Sequence, residues 1–221
     1  MNEANKTYSI LSEIKRGYLT GKGIDIGCGR IPVVPNAQPF DVAHGDANRI
    51  LDYVNDIGGY DFVFSSHCLE HMIDPHKSLF DWWQLVKPGG WLIFAVPDED
   101  LYEQGWWPSI FNVDHKHTFT ISKTSSWSPV SINVLDLIKS MPNVHDFSIE
   151  LMDLNYDRKL KKYKSIGAHR AIKLMILRDK LTIKFPFLRK FIKFLSVYFQ
   201  IPFDQTQGEA VAQIFVVARK V

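Results

Sequence analysis

Residues 23–30, "GIDIGCGR", read as a buried strand running straight into a tight turn. Gly27 and Gly29 are spaced by one residue, and Asp25 stands two positions before the first of them. A packed core has no use for a carboxylate there, and a plain turn does not need both glycines. The turn is suited to wrap a small molecule, the glycines allowing close backbone approach and the carboxylate facing a cationic end. A dinucleotide fingerprint would need G-x-G-x-x-G, its third glycine opening a helix whose N-terminus faces a pyrophosphate. Here Arg30, Ile31 and Pro32 follow, so both that glycine and that helix are missing. This counts against a nicotinamide oxidoreductase.

Outward from the turn, Ile10, Leu11, Ile14 and Tyr18 recur at helical spacing over about residues 6–19. Downstream, three prolines between Arg30 and Phe40 exclude a helix of useful length. "PFDV" (39–42) reads as a short second strand ending at Asp41, and "NRILD" (48–52) as a candidate third. "YDFVFSSH" (60–67) is a strand buried on both faces. "DPHKSLFDWWQLV" (74–86) is a helix with Asp74 as N-cap and Pro75 in its first turn. Its inner side carries Leu79, Trp82, Trp83 and Val86. "KPGG" (87–90) turns the chain into another buried strand, "WLIFAVPD" (91–98).

Strands linked with almost no hairpin signal predict an α/β fold, a doubly wound, mostly parallel sheet. An aromatic loop at 99–127 and a helix at about 131–140 follow. "DFSIELMDLNYD" (146–157) and "GEAVAQIFVVARK" (208–220) read as an antiparallel pair closing one sheet edge, with a basic helical insertion at 158–205 between them. The 221 residues suffice for one such domain.

Ligands of open α/β sheets bind beyond the carboxyl ends of the strands. "IDIGCGR", "PFDV", "YDFVFSSHCLEHMIDP" and "LVKPGGWLIFAVPD" resemble, in order, the signatures of class I S-adenosylmethionine-dependent methyltransferases, in particular those with a Leu-Glu-His step after strand four. The resemblance covers about residues 20–100. It implies that Asp25, Gly27, Cys28 and Gly29 line the methionine part of the cofactor, Asp25 through its amino group. It implies that Asp41 takes the ribose hydroxyls, and that Ser66 and His67 border the sulfonium. For adenine, Asp46 has the look of the family's Asp-Ala pair, but only five positions separate it from Asp41. Asp52 leaves about six residues, roughly 20 Å of extended chain, for a return to a parallel strand, and is preferred.

Methyl transfer to a sugar hydroxyl requires positioning and a group that takes the hydroxyl's proton. The loop from Asp98 onward concentrates Asp98, Tyr102, Glu103, Trp106, Trp107, Asn112, Asp114, His115 and His117. Aromatic rings suit the C–H faces of a carbohydrate and the polar groups its hydroxyls. Asp98, Tyr102, Trp106, Trp107 and Asn112 are therefore candidate acceptor contacts. His115 is the first candidate base, with His117 and His71 behind it. "DHKH" (114–117) hints at metal, but no partner cluster with ligand spacing stands elsewhere in the sequence, so no metal is expected. Trp82 and Trp83 read as core. Cys28 and Cys68 read as free thiols of a reducing compartment.

The net charge of +2 conceals an asymmetry. Residues 158–200 carry 13 Lys or Arg and one acid, Asp179, giving +12 and leaving −10 for the rest. The segment alternates cations with bulky apolar residues. It suits an anionic bilayer surface, a polyanionic glycan or the acidic body of a second copy; alternatively its helices cover the sheet or the cleft. Nucleic acid is not expected, since no reader motif is present. The N-terminus shows no signal peptide and no run of 18 apolar residues occurs. The reading is one domain over 1–221, cytoplasmic or at the inner face of a membrane, transferring a methyl group to oxygen of a surface-glycan sugar or its precursor. Aromatic, lipid or phosphate-type acceptors are the alternatives, and a non-catalytic cofactor-binding partner protein is the rival outside enzymology.

Overall fold

The computed structural model describes residues 3–160, 167–199 and 201–221. Strands β1 (Gly23–Ile26), β2 (Ala37–Phe40), β3 (Tyr60–Ser66), β4 (Val86–Pro97), β7 (Val144–Met152) and β8 (Gln213–Lys220) form one sheet, ordered β2-β1-β3-β4-β8-β7. The first four run parallel, and β8 is antiparallel to both β4 and β7. This is the expected α/β architecture, with the C-terminal antiparallel pair at one edge. A second, two-stranded sheet pairs β5 (Thr118–Thr120) with β6 (Ser131–Asn133).

Period-two alternation divides the core between the two faces. Ile24, Ile26, Val63, Leu92, Phe94, Ile214 and Val216 meet α3 (Pro75–Leu85) and α4 (Val134–Lys139) on one side. Phe62, Phe64, Ile93, Phe215 and Val217 meet Leu11, Leu19, Val33 and Val34 on the other. The proline-interrupted stretch after the glycine turn thus fills space that a helix would otherwise cover. Asp74 caps α3 by accepting the Lys77 N–H at 3.0 Å. Trp82 and Trp83 are core residues, as expected, their indoles donating to the Ala47 and Pro142 carbonyls.

Four elements differ from expectation. The first helix is two, α1 (Glu3–Ile10) and α2 (Glu13–Gly17), because Ser12 caps a new turn by accepting the Lys15 N–H. "NRILD" is not a strand. Ala47–Asp52 forms 3-10 turns capped by Asp46, so the sheet has no third parallel strand on that side. "KPGG" falls within β4 as an irregularity, where pairing shifts from Tyr60↔Val86 to Phe62↔Trp91 and Gly89 takes φ 79°. The helix expected at 131–140 begins only at Val134. Residues 131–133 are β6, and Asn133 caps the helix through the Asp136 N–H.

The basic insertion contributes α5 (Ala168–Lys184) and α6 (Arg189–Tyr198). Ala171 is buried under the aromatic loop and Ile192 is buried on α6, whereas Ile183, Phe187 and Tyr198 are more than 70% exposed. The helices therefore cover the loop in part and present an apolar and basic face outward. Residues 161–166 and 200 of this segment lie outside the described residues. No described helix is long and apolar enough to cross a membrane.

Candidate active site

A cleft of about 560 Å³ opens beyond the ends of β1 and β2, lined among others by Gly27, Asp41, Asp46, His67, Cys68 and His71. Gly27 and Gly29 have φ 79° and 65°, the left-handed region that an L side chain rarely adopts. A Cβ on Gly27 would come within 2.6 Å of the Cys68 Cβ, whereas one on Gly29 would face open space. Asp41 closes the turn. Its Oδ2 accepts the Gly29 N–H at 2.8 Å and its Oδ1 the Val42 N–H at 2.8 Å. The lining holds two aspartates and no lysine or arginine. Such a cleft repels polyphosphate and favours a cationic ligand. A larger cavity of about 730 Å³ lies under α5 and α6, but none of the glycine-turn or histidine residues lines it.

Three expected cofactor contacts are placed differently. Asp25 is wholly buried and turned away from the cleft. Its Oδ2 accepts the Val33 N–H at 2.6 Å and its Oδ1 has no hydrogen-bond partner. It tethers the 29–33 loop from inside instead of meeting a ligand's amino group. Burial pushes its carboxyl up to about 7, against the lowering effect of the Val33 hydrogen bond. Asp52 lies outside the cleft and pairs with Arg49, while Asp46 lies inside it. The preference for Asp52 assumed a returning strand; the chain instead makes a turn after Asp41 that brings Asp46 back as a cap. Cys28 is buried, its thiol against the Gly29 carbonyl and pushed up by burial. Ser66 is buried with an unpaired hydroxyl, and His67 takes φ 54° at the rim.

The second half of the site is assembled where the 68–72 turn meets the aromatic loop. The Lys116 and His117 N–H groups both donate to the Glu70 carbonyl, at 2.9 and 3.2 Å, which seats the loop on the turn. His115 is buried, with Nδ1 2.7 Å from Glu103 Oε1 and Nε2 3.9 Å from Glu70 Oε1. Burial alone would lower its pKa, but the Glu103 hydrogen bond and the charges of Glu70, Glu103 and Asp114 raise it overall. His71 stands edge-on to His115, ring centres 5.0 Å apart, with Nδ1 on the Asp114 carbonyl at 3.1 Å. Tyr102 lies against His115, ring centres 5.2 Å apart. Neither oxygen of the buried Glu70 carboxylate has a hydrogen-bond partner.

Several other loop residues are engaged within the fold. His117 turns to the Ile73 carbonyl, 3.3 Å away. Asp98 caps the single turn Glu99–Glu103 through the Asp100 and Leu101 N–H groups, and burial pushes its carboxyl up to about 6. Trp106 is 1% exposed and packs on Ile110 and Ala171, so it offers no face to an acceptor. Asn112 accepts the Asp114 N–H, and Trp107 is half-buried. Glu70 and Glu103 acquire importance that their sequence neighbourhoods did not announce. The only signal was the Leu-Glu-His step for one and a place in the polar-aromatic loop for the other. Glu70, His71 and His115 each offer a ligand atom within 4.8 Å of the others. The spacing of residues along the chain, on which the expectation of no metal relied, does not reveal that meeting.

A mostly parallel sheet with a terminal antiparallel pair, and a cleft at its glycine turn lined by Asp41 and Asp46 without a lysine or arginine, fit a Rossmann-like methyltransferase fold. A family model described as "Methyltransferase domain" matches residues 9–127, more than half of the chain. The chain belongs to that family. A ubiquinone biosynthesis O-methyltransferase of Maricaulis maris is 37% identical over 57 residues, 26% of this chain and 22% of that relative. The chain thus aligns with under a quarter of that relative's length. An Archaeoglobus fulgidus SAM-dependent methyltransferase superposes with TM-score 0.52 at 17% identity, over 98% of this chain and 94% of that one. Haemonchus contortus phosphoethanolamine N-methyltransferase 2, solved with S-adenosyl-L-methionine, superposes with TM-score 0.51 at 16% identity, over 94% and 51% respectively.

Proposed function

We propose that the protein transfers a methyl group from S-adenosylmethionine to a hydroxyl oxygen of a small acceptor, a sugar of a surface glycan or its precursor being the favoured class. The observation that carries the reading is the His115–Glu103 pair, seated on the 68–72 turn whose His71 lines the cofactor cleft. Bound in that cleft, the cofactor supplies an electrophilic methyl group. Gly27 and Gly29 allow close approach of the turn, Asp41 accepts the ribose hydroxyls, and Asp46 marks the adenine side. Asp25 keeps the 29–33 loop in place from beneath.

His115 is the group that activates the acceptor hydroxyl. Glu103 fixes the proton on Nδ1, leaving Nε2 to receive the hydroxyl's proton. Tyr102 sets a ring beside it, 5.2 Å between centres, which suits the C–H face of a sugar. The Maricaulis relative is an O-methyltransferase, which supports the choice of oxygen. The test is mass spectrometry of nucleotide-linked and lipid-linked sugars incubated with protein and cofactor. A product one methyl group heavier supports the reading. Methylation confined to amines would overturn it.

The exposed apolar face of α5 and α6, with its excess of cations, supports a second role as a peripheral contact for an anionic bilayer. Co-sedimentation with phosphatidylglycerol vesicles and not with phosphatidylcholine vesicles is the expected result. Equal recovery with both would remove it.

A further inference from the structure

Three imidazoles point at one carboxylate. His67 Nδ1, His71 Nε2 and His115 Nε2 lie 3.6, 3.8 and 3.9 Å from Glu70 Oε1. The far nitrogen of each ring is held by an oxygen. His67 Nε2 is 2.9 Å from Gln213 Oε1, His71 Nδ1 is 3.1 Å from the Asp114 carbonyl, and His115 Nδ1 is 2.7 Å from Glu103 Oε1. A carbonyl or carboxylate oxygen only accepts, so those far nitrogens carry the protons. In the neutral rings the near nitrogens then present lone pairs to Glu70, whose own oxygens are also acceptors. Acceptors face acceptors in a buried site, an arrangement that costs free energy unless something positive stands between them.

Extra protons on the rings would meet that need in part. A divalent cation would meet it with one charge centre, and the surroundings have the form such a site takes. Metal-bound histidines donate their second N–H to a carboxylate or carbonyl, which fixes the tautomer and the ring. Glu103 and the Asp114 carbonyl already do this for His115 and His71. Metal–ligand bonds of about 2.0–2.1 Å set tetrahedral ligand atoms roughly 3.4 Å apart. The 3.8 and 3.9 Å separations from Glu70 need to shrink by about half an ångström, and the two imidazole nitrogens, within 4.8 Å of each other, by at most about 1.4 Å, to grip an ion of this size.

We infer that Glu70, His71 and His115 form a binding site for a divalent cation of the zinc class, with Glu103 as the residue that positions His115. Two imidazoles and one carboxylate suit zinc and leave a coordination position open. His71 also lines the cofactor cleft, so that position opens toward the reacting centre. A cation there lowers the pKa of a hydroxyl that binds to it. His115 then serves as a ligand, and the ion takes over the activation assigned to the imidazole in the metal-free protein. The catalytic meaning rests on the methyltransferase reading, but the binding of metal does not.

The test is calorimetric titration of the full-length, chelator-treated protein with Zn²⁺, with Co²⁺ in parallel for its visible absorption. The account expects one saturable site and a tetrahedral cobalt spectrum. Glu103→Gln should weaken metal binding by about 10- to 100-fold, the range for an outer partner, without changing affinity for S-adenosylhomocysteine. His71→Asn, at a partly exposed ring, repeats the test where loss of folding is least expected. No saturable metal binding by the wild type, or equal binding by both variants, would overturn the inference. S-adenosylhomocysteine binding is measured on the same samples. Cofactor binding without metal sinks this inference alone, and metal binding without cofactor binding sinks the methyltransferase reading alone.

Discussion

The glycine turn and the histidine–glutamate cluster meet at the 67–72 turn, which lends His67, Cys68 and His71 to the cleft and Glu70 and His71 to the cluster, yet they are built on opposite terms. In the turn, acidic side chains meet backbone donors: Asp41 accepts from Gly29 and Val42, Asp46 from Asn48, and one oxygen of Asp25 from Val33. In the cluster, side chains face side chains, and the carboxylate at its centre has no hydrogen bond. The turn is a finished surface, shaped before its ligand arrives. The cluster leaves its central carboxylate facing imidazole rings, with neither oxygen hydrogen-bonded. In the proposed function the first half recognises the cofactor and the second acts on the acceptor.

That contrast is easiest to break at His115. His115→Ala should lower turnover by about 10²- to 10⁴-fold, the contribution of a positioned acid–base group, while leaving cofactor affinity unchanged. Unaltered turnover, read from methyl-transfer rates, would remove the residue from the reaction. Trp106→Ala probes the packing of the loop against α5. Deleting a buried tryptophan typically costs about 3–5 kcal/mol, so denaturant unfolding should register the loss. Cofactor affinity, measured well below the transition, should hold, because Trp106 packs under α5 and not against the cleft.

A gentler test concerns Asp25. Its carboxyl titrates at about 7 in the folded protein against 3.8 for the ordinary side chain. Between those values the unfolded chain releases a proton that the folded chain retains. Stability therefore falls as pH rises through this window and levels off above it. The slope from this group is at most about 1.4 kcal/mol per pH unit. Asp25→Asn should flatten it, as measured by urea unfolding at pH 5, 6, 7 and 8. A slope unchanged in the variant would assign the pH dependence elsewhere.

How much of this could be read from the chain alone divides along the same line. The strands around the turn were legible because each is a short apolar run bounded by polar residues. Asp41, Gly27 and Gly29 fall within single local motifs. Asp46 was ranked behind Asp52 because the reading expected a third strand, where the chain makes 3-10 turns capped by Asp46 that leave Asp46 and not Asp52 at the cleft. The burial of Trp106 was not legible, since it depends on Ala171 of the inserted helix. The cluster was invisible as a unit. Glu70, His71, Glu103 and His115 come from two segments whose contact is set by the backbone hydrogen bonds of Lys116 and His117 to Glu70. The side-chain role of Asp25 escaped for a related reason: its partner is a backbone N–H eight residues on, in a stretch without regular structure.

The most direct measurement is calorimetric titration of S-adenosylhomocysteine into the wild-type protein and into Asp41→Ala. The account predicts a single saturable site, weakened in the variant by about 1.5–3 kcal/mol, the range for losing hydrogen bonds to a charged group. Absence of binding in the wild type, or equal affinity in the two proteins, would contradict it.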